Sequence, residues 1–265
     1  MTDMSDSLPL DDPSGLAGRL GPATDRLVVL DFDGVLSPIV DHYDQAAPAD
    51  GAVAALTALA EVTTVAVVSG RTVADIRRRL GELAVTVAGG HGAELVLADG
   101  TDDPLVDPAT LAEALDRAQA DVDALVGDEP GWFIERKGTS LAVHHRLAPT
   151  ESVDTHLPRV RAILEHHTAS PPGFAVLDGK AVVELRPADV DKGRALDRIA
   201  ADSGALRPLM LGDDVTDEDA FRVARARGGD AVLVADEPRP TAATHRLSDP
   251  DAVVRFLEAL AARGG

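Results

Sequence analysis

Four clusters of reactive side chains stand at points where an apolar run stops. Asp31-Phe32-Asp33-Gly34 follows Leu27-Val28-Val29-Leu30. The D-x-D pattern alone carries no information, because an Asp-rich chain of this length should hold about four copies by chance. It holds five, starting at 31, 121, 189, 217 and 249. Only the first directly follows a β-prone apolar run and is itself followed by Gly. Two carboxylates one residue apart, where a strand curls away, allow one to attack and the other to handle a proton. Gly212-Asp213-Asp214-x-Thr216-Asp217 follows another apolar run. Acids this dense repel one another unless a cation sits among them, and oxygen donors without His or Cys favour Mg²⁺. Helix capping by Thr216 and Asp217 is the plain alternative, and the two are compatible. Ser69-Gly70-Arg71 offers a hydroxyl and free N–H groups at a helix start, which suit a phosphate oxygen. Lys192 opens a predicted helix, where its charge opposes the dipole. It is one of three lysines against 22 arginines, and a compact ammonium makes a point contact with phosphate.

The elements that must carry these residues alternate. Strands at 27–30, 64–68, 84–88, 209–211 and 231–234 interleave with helices at 52–60, after Thr72, at 194–201 and at 216–225, and a last helix spans 251–262. Alternation of continuous apolar runs with helical periodicity means a mostly parallel α/β sheet, whose ligands bind at the carboxyl ends of the strands. Residues 105–186 follow another rhythm, αββαββ. A helix lies over 111–125, strands at 132–135 and 141–145, a helix at 153–164 that Pro158 either kinks or starts, and strands at 174–177 and 181–185 turning at Asp178-Gly179. We read a discontinuous core, 1–104 with 187–265, interrupted by an inserted domain at 105–186, with 1–24 a frayed tail holding one helical turn at most.

The chain has 265 residues, 45% of them apolar, and a formal charge of −20. This predicts a globular protein that avoids nucleic acid and anionic membranes. Asp outnumbers Glu 33 to 12, through GC-rich coding or an acidic halophilic surface. There is no cysteine, so no disulfide or thiolate metal site exists. No apolar run is long enough to span a membrane. Met1–Leu10 has no basic residue ahead of an apolar run, which predicts no secretory leader and a cytoplasmic protein. The pairs His144-His145 and His166-His167 lack a third His at ligand spacing, which argues against zinc.

Taken together, the four clusters resemble the haloacid dehalogenase-like phosphatases, whose motifs are a strand with D-x-D-G, a strand-end Ser or Thr, a Lys, and an acidic G-D-D. An insertion after the third strand resembles their C2-type α/β cap. Within that superfamily the chain is similar to the trehalose-6-phosphate phosphatase family. The resemblance rests on Asp31 to Val40 (Val35 standing where Thr is usual), Gly90-His91-Gly92-x-Glu94, Ile134-Glu135-x-Lys137, Ser140 to Arg146, Val183-Glu184-Leu185-Arg186-Pro187, Lys192-Gly193 and Gly212 to Glu218. It implies Asp31 as nucleophile, Asp33 as general acid, and Ser69 and Lys192 on the phosphoryl oxygens. It implies Mg²⁺ on Asp31, the Asp33 carbonyl and Asp213, with Asp214 and Asp217 behind them. It also implies sugar-phosphate contacts from Arg71, His91, Gly92, Glu135, Lys137, Glu184 and Arg186. The expected reaction is hydrolysis of trehalose 6-phosphate by a monomer that binds no nucleic acid and no membrane. A phosphatase for another phosphorylated sugar or a glycosyl glycerate, a phosphomutase, and a non-catalytic binding module are the alternatives.

Overall fold

In the computed structural model, residues 8–40, 42–81, 83–136, 138–179, 181–204 and 206–264 are described. They form two units, one running to Asp103 and resuming at Asp191, the other Pro104–Val190. Lys137 lies outside the described residues.

The first unit opens with α1 (Pro13–Leu20) and β1 (Arg26–Leu30). It continues with α2 (Ala52–Ala60), β2 (Thr64–Val68), α3 (Val73–Leu80), β3 (Thr86–Gly89) and β4 (Glu94–Val96). The second unit contains α4 (Pro108–Val126), β5 (Phe133–Arg136), β6 (Leu141–His144), α5 (Thr150–His166), β7 (Phe174–Gly179) and β8 (Val182–Pro187). The chain then returns through α6 (Lys192–Asp202), β9 (Arg207–Gly212), α7 (Glu218–Ala226), β10 (Asp230–Val234), β11 (His245–Leu247) and α8 (Pro250–Ala261).

In the first unit the strands order as β11-β10-β9-β1-β2-β3-β4. All neighbours run parallel except β3 and β4. Every position of β1 is buried, because helices cover both faces. Val28 and Leu30 share an apolar cluster with residues of α1, α2, α3 and α8. On the opposite face α6 packs on β2, and α7 on β9 and β10. Strand β4 escapes the sequence reading, since three residues after a glycine-rich turn carry no periodicity.

The start of the chain departs from the expected tail. Asp12 caps α1 by accepting from the Gly15 N–H at 2.7 Å, with Pro13 in the first helical position. Leu16 and Ala17 are fully buried where α1 packs on α8. Arg246, itself buried, donates to the Leu8 carbonyl at 2.8 Å. A short apolar face looked too small to hold a helix; its partner lies more than 230 residues away in sequence, where no local pattern reports it. Leu16→Ala should therefore cost about 2–5 kcal/mol of stability, read by denaturant unfolding; an unpacked tail would cost nothing.

The second unit has the predicted αββαββ order, with an antiparallel sheet β5-β6-β8-β7. Its core joins Leu111, Leu115, Ala118 and Val122 of α4 to Val143, Val183 and Leu185. Trp132 is part of this core, and its indole donates to the Ser152 hydroxyl at 3.1 Å. Pro158 lies inside α5 rather than at its start. The hairpin turn is displaced from Asp178-Gly179. Those two residues pair with Val183 and Val182, and Ala181, just before β8, takes a φ of +61°. Register decides this. A slip would turn Phe174 and Val176 off the apolar face, and that outweighs the preference of Asp-Gly for turns.

Candidate active site

The ends of β1, β2 and β9 and the start of α6 place the reactive residues at the carboxyl edge of the parallel sheet. Asp31 directly follows β1, and its N–H continues the ladder to the Leu211 carbonyl at 2.9 Å. The chain then curls. Leu36 and Ser37 both donate to the Phe32 carbonyl at 2.9 Å, and Gly34 donates to Ser37 at 2.8 Å. Gly34 has a φ of +73°, and a Cβ there would collide with the Asp213 carboxylate, so only glycine permits this approach. Val35, in the position where the family usually has Thr, is fully buried in the apolar cluster.

Lys192 is the centre of charge. Its ammonium donates to Asp31 Oδ2 at 2.6 Å and to Asp217 Oδ1 at 2.7 Å. The side chains of Lys192, Asp31 and Asp217 are only 3%, 7% and 0% exposed. Carboxylate oxygens of Asp31, Asp213 and Asp217 lie within 4.8 Å of one another, and among the described residues this is the one such group of potential metal ligands. Three carboxylates around one ammonium leave two negative charges in excess. Burial pushes the Asp31 carboxyl up to about 7 against the pull of Lys192, with Asp217 and Asp213 adding to the rise. Burial and then Asp217 push Asp213 up to about 7 as well. Burial alone would lower Lys192, but Asp31 and Asp217 hold it well above its usual value. An all-oxygen set carrying this surplus fits a hard divalent cation.

Asp217 is already engaged on both oxygens. Besides Lys192 it accepts the N–H groups of Asp213 and Asp214, both at 3.0 Å. This fits a supporting place behind the ligands. Asp214 turns its carboxylate to the Val215 N–H at 2.7 Å. The capping foreseen for this turn is real, but Asp214 and Asp217 perform it, not Thr216.

Asp33 faces Arg71. The guanidinium forks onto it, Nε to Oδ2 at 2.7 Å and Nη2 to Oδ1 at 2.8 Å. Arg71 also donates to Asp75 at 2.9 Å and lies 5.6 Å from the Phe32 ring centroid. Burial alone would raise Asp75, but hydrogen bonds from Arg79, Arg71 and Arg78 outweigh it and hold its carboxyl down at about 2. The resemblance sets Arg71 toward substrate; in the structure its guanidinium bonds these two acids. Ser69 is buried, and its hydroxyl accepts the Arg71 N–H at 3.2 Å. His91 donates its N–H to the Ser69 carbonyl at 2.9 Å and has a φ of +59°. A Cβ at Gly70 would stand 2.8 Å from the His91 ring, so the ring lies over the Ser-Gly turn, with Gly92 next in the same short helix. Glu94 accepts the Val73 N–H at 2.8 Å, which ties β4 to the start of α3.

In the second unit, the register Glu135↔Ala142↔Glu184 sets both acids on one sheet face, either side of a methyl. Glu135 meets His144 Nε2 at 2.9 Å, and Glu184 accepts from the Ser140 hydroxyl at 2.5 Å. Arg186 lies two residues along β8, on the same face by alternation.

The sequence matches the trehalose-phosphatase family over residues 29–251. The chain belongs to that family. It is 42% identical over 262 residues to a trehalose-phosphate phosphatase of Mycolicibacterium paratuberculosis, covering 93% of this chain and 63% of the relative. A trehalose-phosphate phosphatase of Mycobacterium tuberculosis is 39% identical, with 93% and 64% covered. The chain thus spans less than two thirds of the curated relatives it matches. Among solved structures, the C-terminal domain of C. albicans trehalose-6-phosphate phosphatase superposes with a TM-score of 0.72 at 25% identity, covering 97% and 99% of the two chains. The Aspergillus fumigatus trehalose-6-phosphate phosphatase gives 0.70 at 26%, covering 96% and 99%. The fold is the α/β fold of these family members, and no described helix is long and apolar enough to cross a membrane.

Of the residues expected at the site, the first unit joins Asp31, Lys192, Asp213 and Asp217 directly, and Asp33 and Ser69 through Arg71. Three partners went unnoticed in the sequence. Asp75 carries no site signal in the sequence, although its spacing to Arg79 is that of a helical ion pair. His144 enters the sequence reading as half of a rejected metal pair and within the Ser140 to Arg146 match, with no tie to Glu135. Arg239, whose guanidinium donates to the Asp213 and Asp214 carbonyls at 3.3 and 3.0 Å, stands in a proline-flanked loop with no local signal.

Proposed function

We infer that this chain hydrolyses trehalose 6-phosphate to trehalose and phosphate through an aspartyl-phosphate intermediate. The observation that carries the reading is the buried Lys192 ammonium bonded to both Asp31 and Asp217, beside Asp213, at the end of β1. An Asp31 oxygen attacks phosphorus in line; the O–P bond to Asp31 forms as the bond to the sugar oxygen breaks. Asp33 gives that oxygen its proton. Water then attacks phosphorus and releases the Asp31 carboxylate, and Asp33 takes the water proton back. Arg71 fixes the direction of the Asp33 carboxylate through a two-point fork. Lys192 and Ser69 offer positive charge and a hydroxyl to the phosphoryl oxygens. Asp31, the Asp33 carbonyl and Asp213, with Asp214 and Asp217 behind, would hold Mg²⁺, which when bound would supply charge neutralisation for a loose transition state.

The 105–186 insertion acts as the cap that recognises the sugar. Glu135, Lys137, Glu184 and Arg186, with His91 and Gly92 of the core, are the proposed contacts, since carboxylates and cations make charge-assisted hydrogen bonds to hydroxyls. The His144 ring bonded to Glu135 supports this, because it fixes the direction of that carboxylate. The protein works as a cytoplasmic monomer on a small sugar phosphate.

The test is phosphate release from a panel of sugar phosphates with and without Mg²⁺. Trehalose 6-phosphate should turn over fastest and only with Mg²⁺. Equal rates on glucose 6-phosphate would reject the named substrate. Transfer of phosphate between positions of the sugar would indicate a mutase, and no turnover on any member would leave a binding module.

A further inference from the structure

The loop that presents Asp213 is gripped from both sides of its backbone. The N–H groups of Asp213 and Asp214 point at the Asp217 carboxylate, both at 3.0 Å. Their carbonyls point the other way, to Arg239 Nη2 at 3.3 and 3.0 Å. Arg239 is in turn aimed by Glu218, whose Oε1 accepts from Nη1 at 2.7 Å. Glu218 is anchored by the Ala242 N–H at 2.7 Å on its other oxygen. Burial would raise the Glu218 carboxyl, but Ala242, Thr241 and Arg239 outweigh it and hold it below its usual range. The segment joining β10 to β11 thus reaches back and holds the turn after β9.

We propose that Arg239, oriented by Glu218, is a positioning residue that sets the Asp213 carboxylate for the divalent cation. The inference rests on the cation reading of the Asp31–Asp213–Asp217 group. Two opposite effects meet in Arg239. As a positive charge near the acids it repels a cation. With Nη2 on two adjacent carbonyls and Nη1 on Glu218, its planar group fixes the direction of Asp213. The second effect dominates, because a metal site loses affinity steeply when a supporting group lets its ligand drift.

Calorimetric titration of the 265-residue chain with Mg²⁺ alone separates these effects. Arg239→Lys keeps the charge and loses the planar group that reaches the two carbonyls and Glu218 through separate nitrogens. It should weaken Mg²⁺ binding by about 10- to 100-fold, while the Michaelis constant for the sugar phosphate at saturating Mg²⁺ stays unchanged. Arg239→Gln should also bind more weakly, despite losing a repelling charge. The proposal falls if Arg239→Lys binds Mg²⁺ as wild type does, or if Arg239→Gln binds more tightly. Leu16→Ala, destabilised far from the acids, should keep wild-type Mg²⁺ affinity; an equal loss there would attribute the effect to general loosening and overturn the proposal. A wild-type chain that binds no Mg²⁺ would sink the cation reading and this inference together, whereas wild-type binding with an unaffected Arg239→Lys sinks the inference alone.

Discussion

Asp31→Asn is expected to reduce phosphate release by about 10⁴-fold or more, as loss of a nucleophile does elsewhere, while the protein stays folded. The substitution keeps shape and leaves an oxygen for the Phe32 N–H, which Asp31 Oδ1 accepts at 2.6 Å. Lys192 keeps Asp217 as a partner, so the cluster does not lose its counter-charge. An acid-quenched sample of the wild type should hold phosphoenzyme, and the variant none. The variant also reports on the electrostatics. Asp31 is raised in the folded protein from 3.8 to about 7, so folding favours its neutral form. That contribution is full below pH 3.8 and is lost as pH rises through about 7. The cation-free wild type should therefore lose stability across this window, and the slope of melting temperature against pH should be shallower in Asp31→Asn. Turnover within about tenfold of wild type would end the nucleophile assignment.

What the sequence made legible follows from how far each interaction reaches along the chain. The strand at 27–30 is readable because burial on both faces leaves an uninterrupted apolar run. Asp31 then stands out among five D-x-D copies only through that strand and Gly34, and the structure supplies the reason for the glycine, the Asp213 carboxylate packed against it. The acid cluster was also readable, since Asp213, Asp214 and Asp217 crowd five residues. The partners that orient these groups were not. Arg71 and Asp33 are 38 residues apart, and nothing local says that the guanidinium turns to an acid rather than to phosphate. Arg239 reaches the Asp213 turn from the next crossover. The Glu135–His144 pair follows from the β5–β6 register, which places Phe133 opposite His144 and Glu135 diagonal to it; without a register the two residues are nine positions apart with no periodic link. Helix α1 failed for the same reason, because α8 decides its burial. Local chemistry marked where the site begins, and long-range geometry determined which charges face one another.

That geometry makes Lys192 the substitution with the largest effect on both stability and turnover. Lys192→Met keeps length and apolar stem while removing the ammonium that bonds both Asp31 and Asp217. Breaking a buried ion pair from one side costs about 3–5 kcal/mol, because the abandoned charges stay desolvated. Here two carboxylates lose their shared partner at once, and Asp213 beside them is already pushed up to about 7. The ammonium itself is held above its ordinary 10.5, so in the wild type its contribution persists at every pH below that value and fades only above it. In the variant Asp31 loses the pull of Lys192, and its carboxyl shifts further upward. Ionisation of the carboxylates then opposes folding, so the deficit should be greatest at alkaline pH and shrink as acid protonates them. A hard divalent cation should restore part of the loss by supplying the missing charge, while turnover stays abolished because no ammonium meets the phosphoryl group. Adding Asp31→Asn should recover stability as well, so that the double variant is more stable than Lys192→Met alone. Urea unfolding of the four proteins at two pH values measures each of these shifts. A Lys192→Met protein as stable as wild type at pH values above about 8 would mean that the three acids are not ionised together, and the charge surplus that calls for a cation would disappear with it.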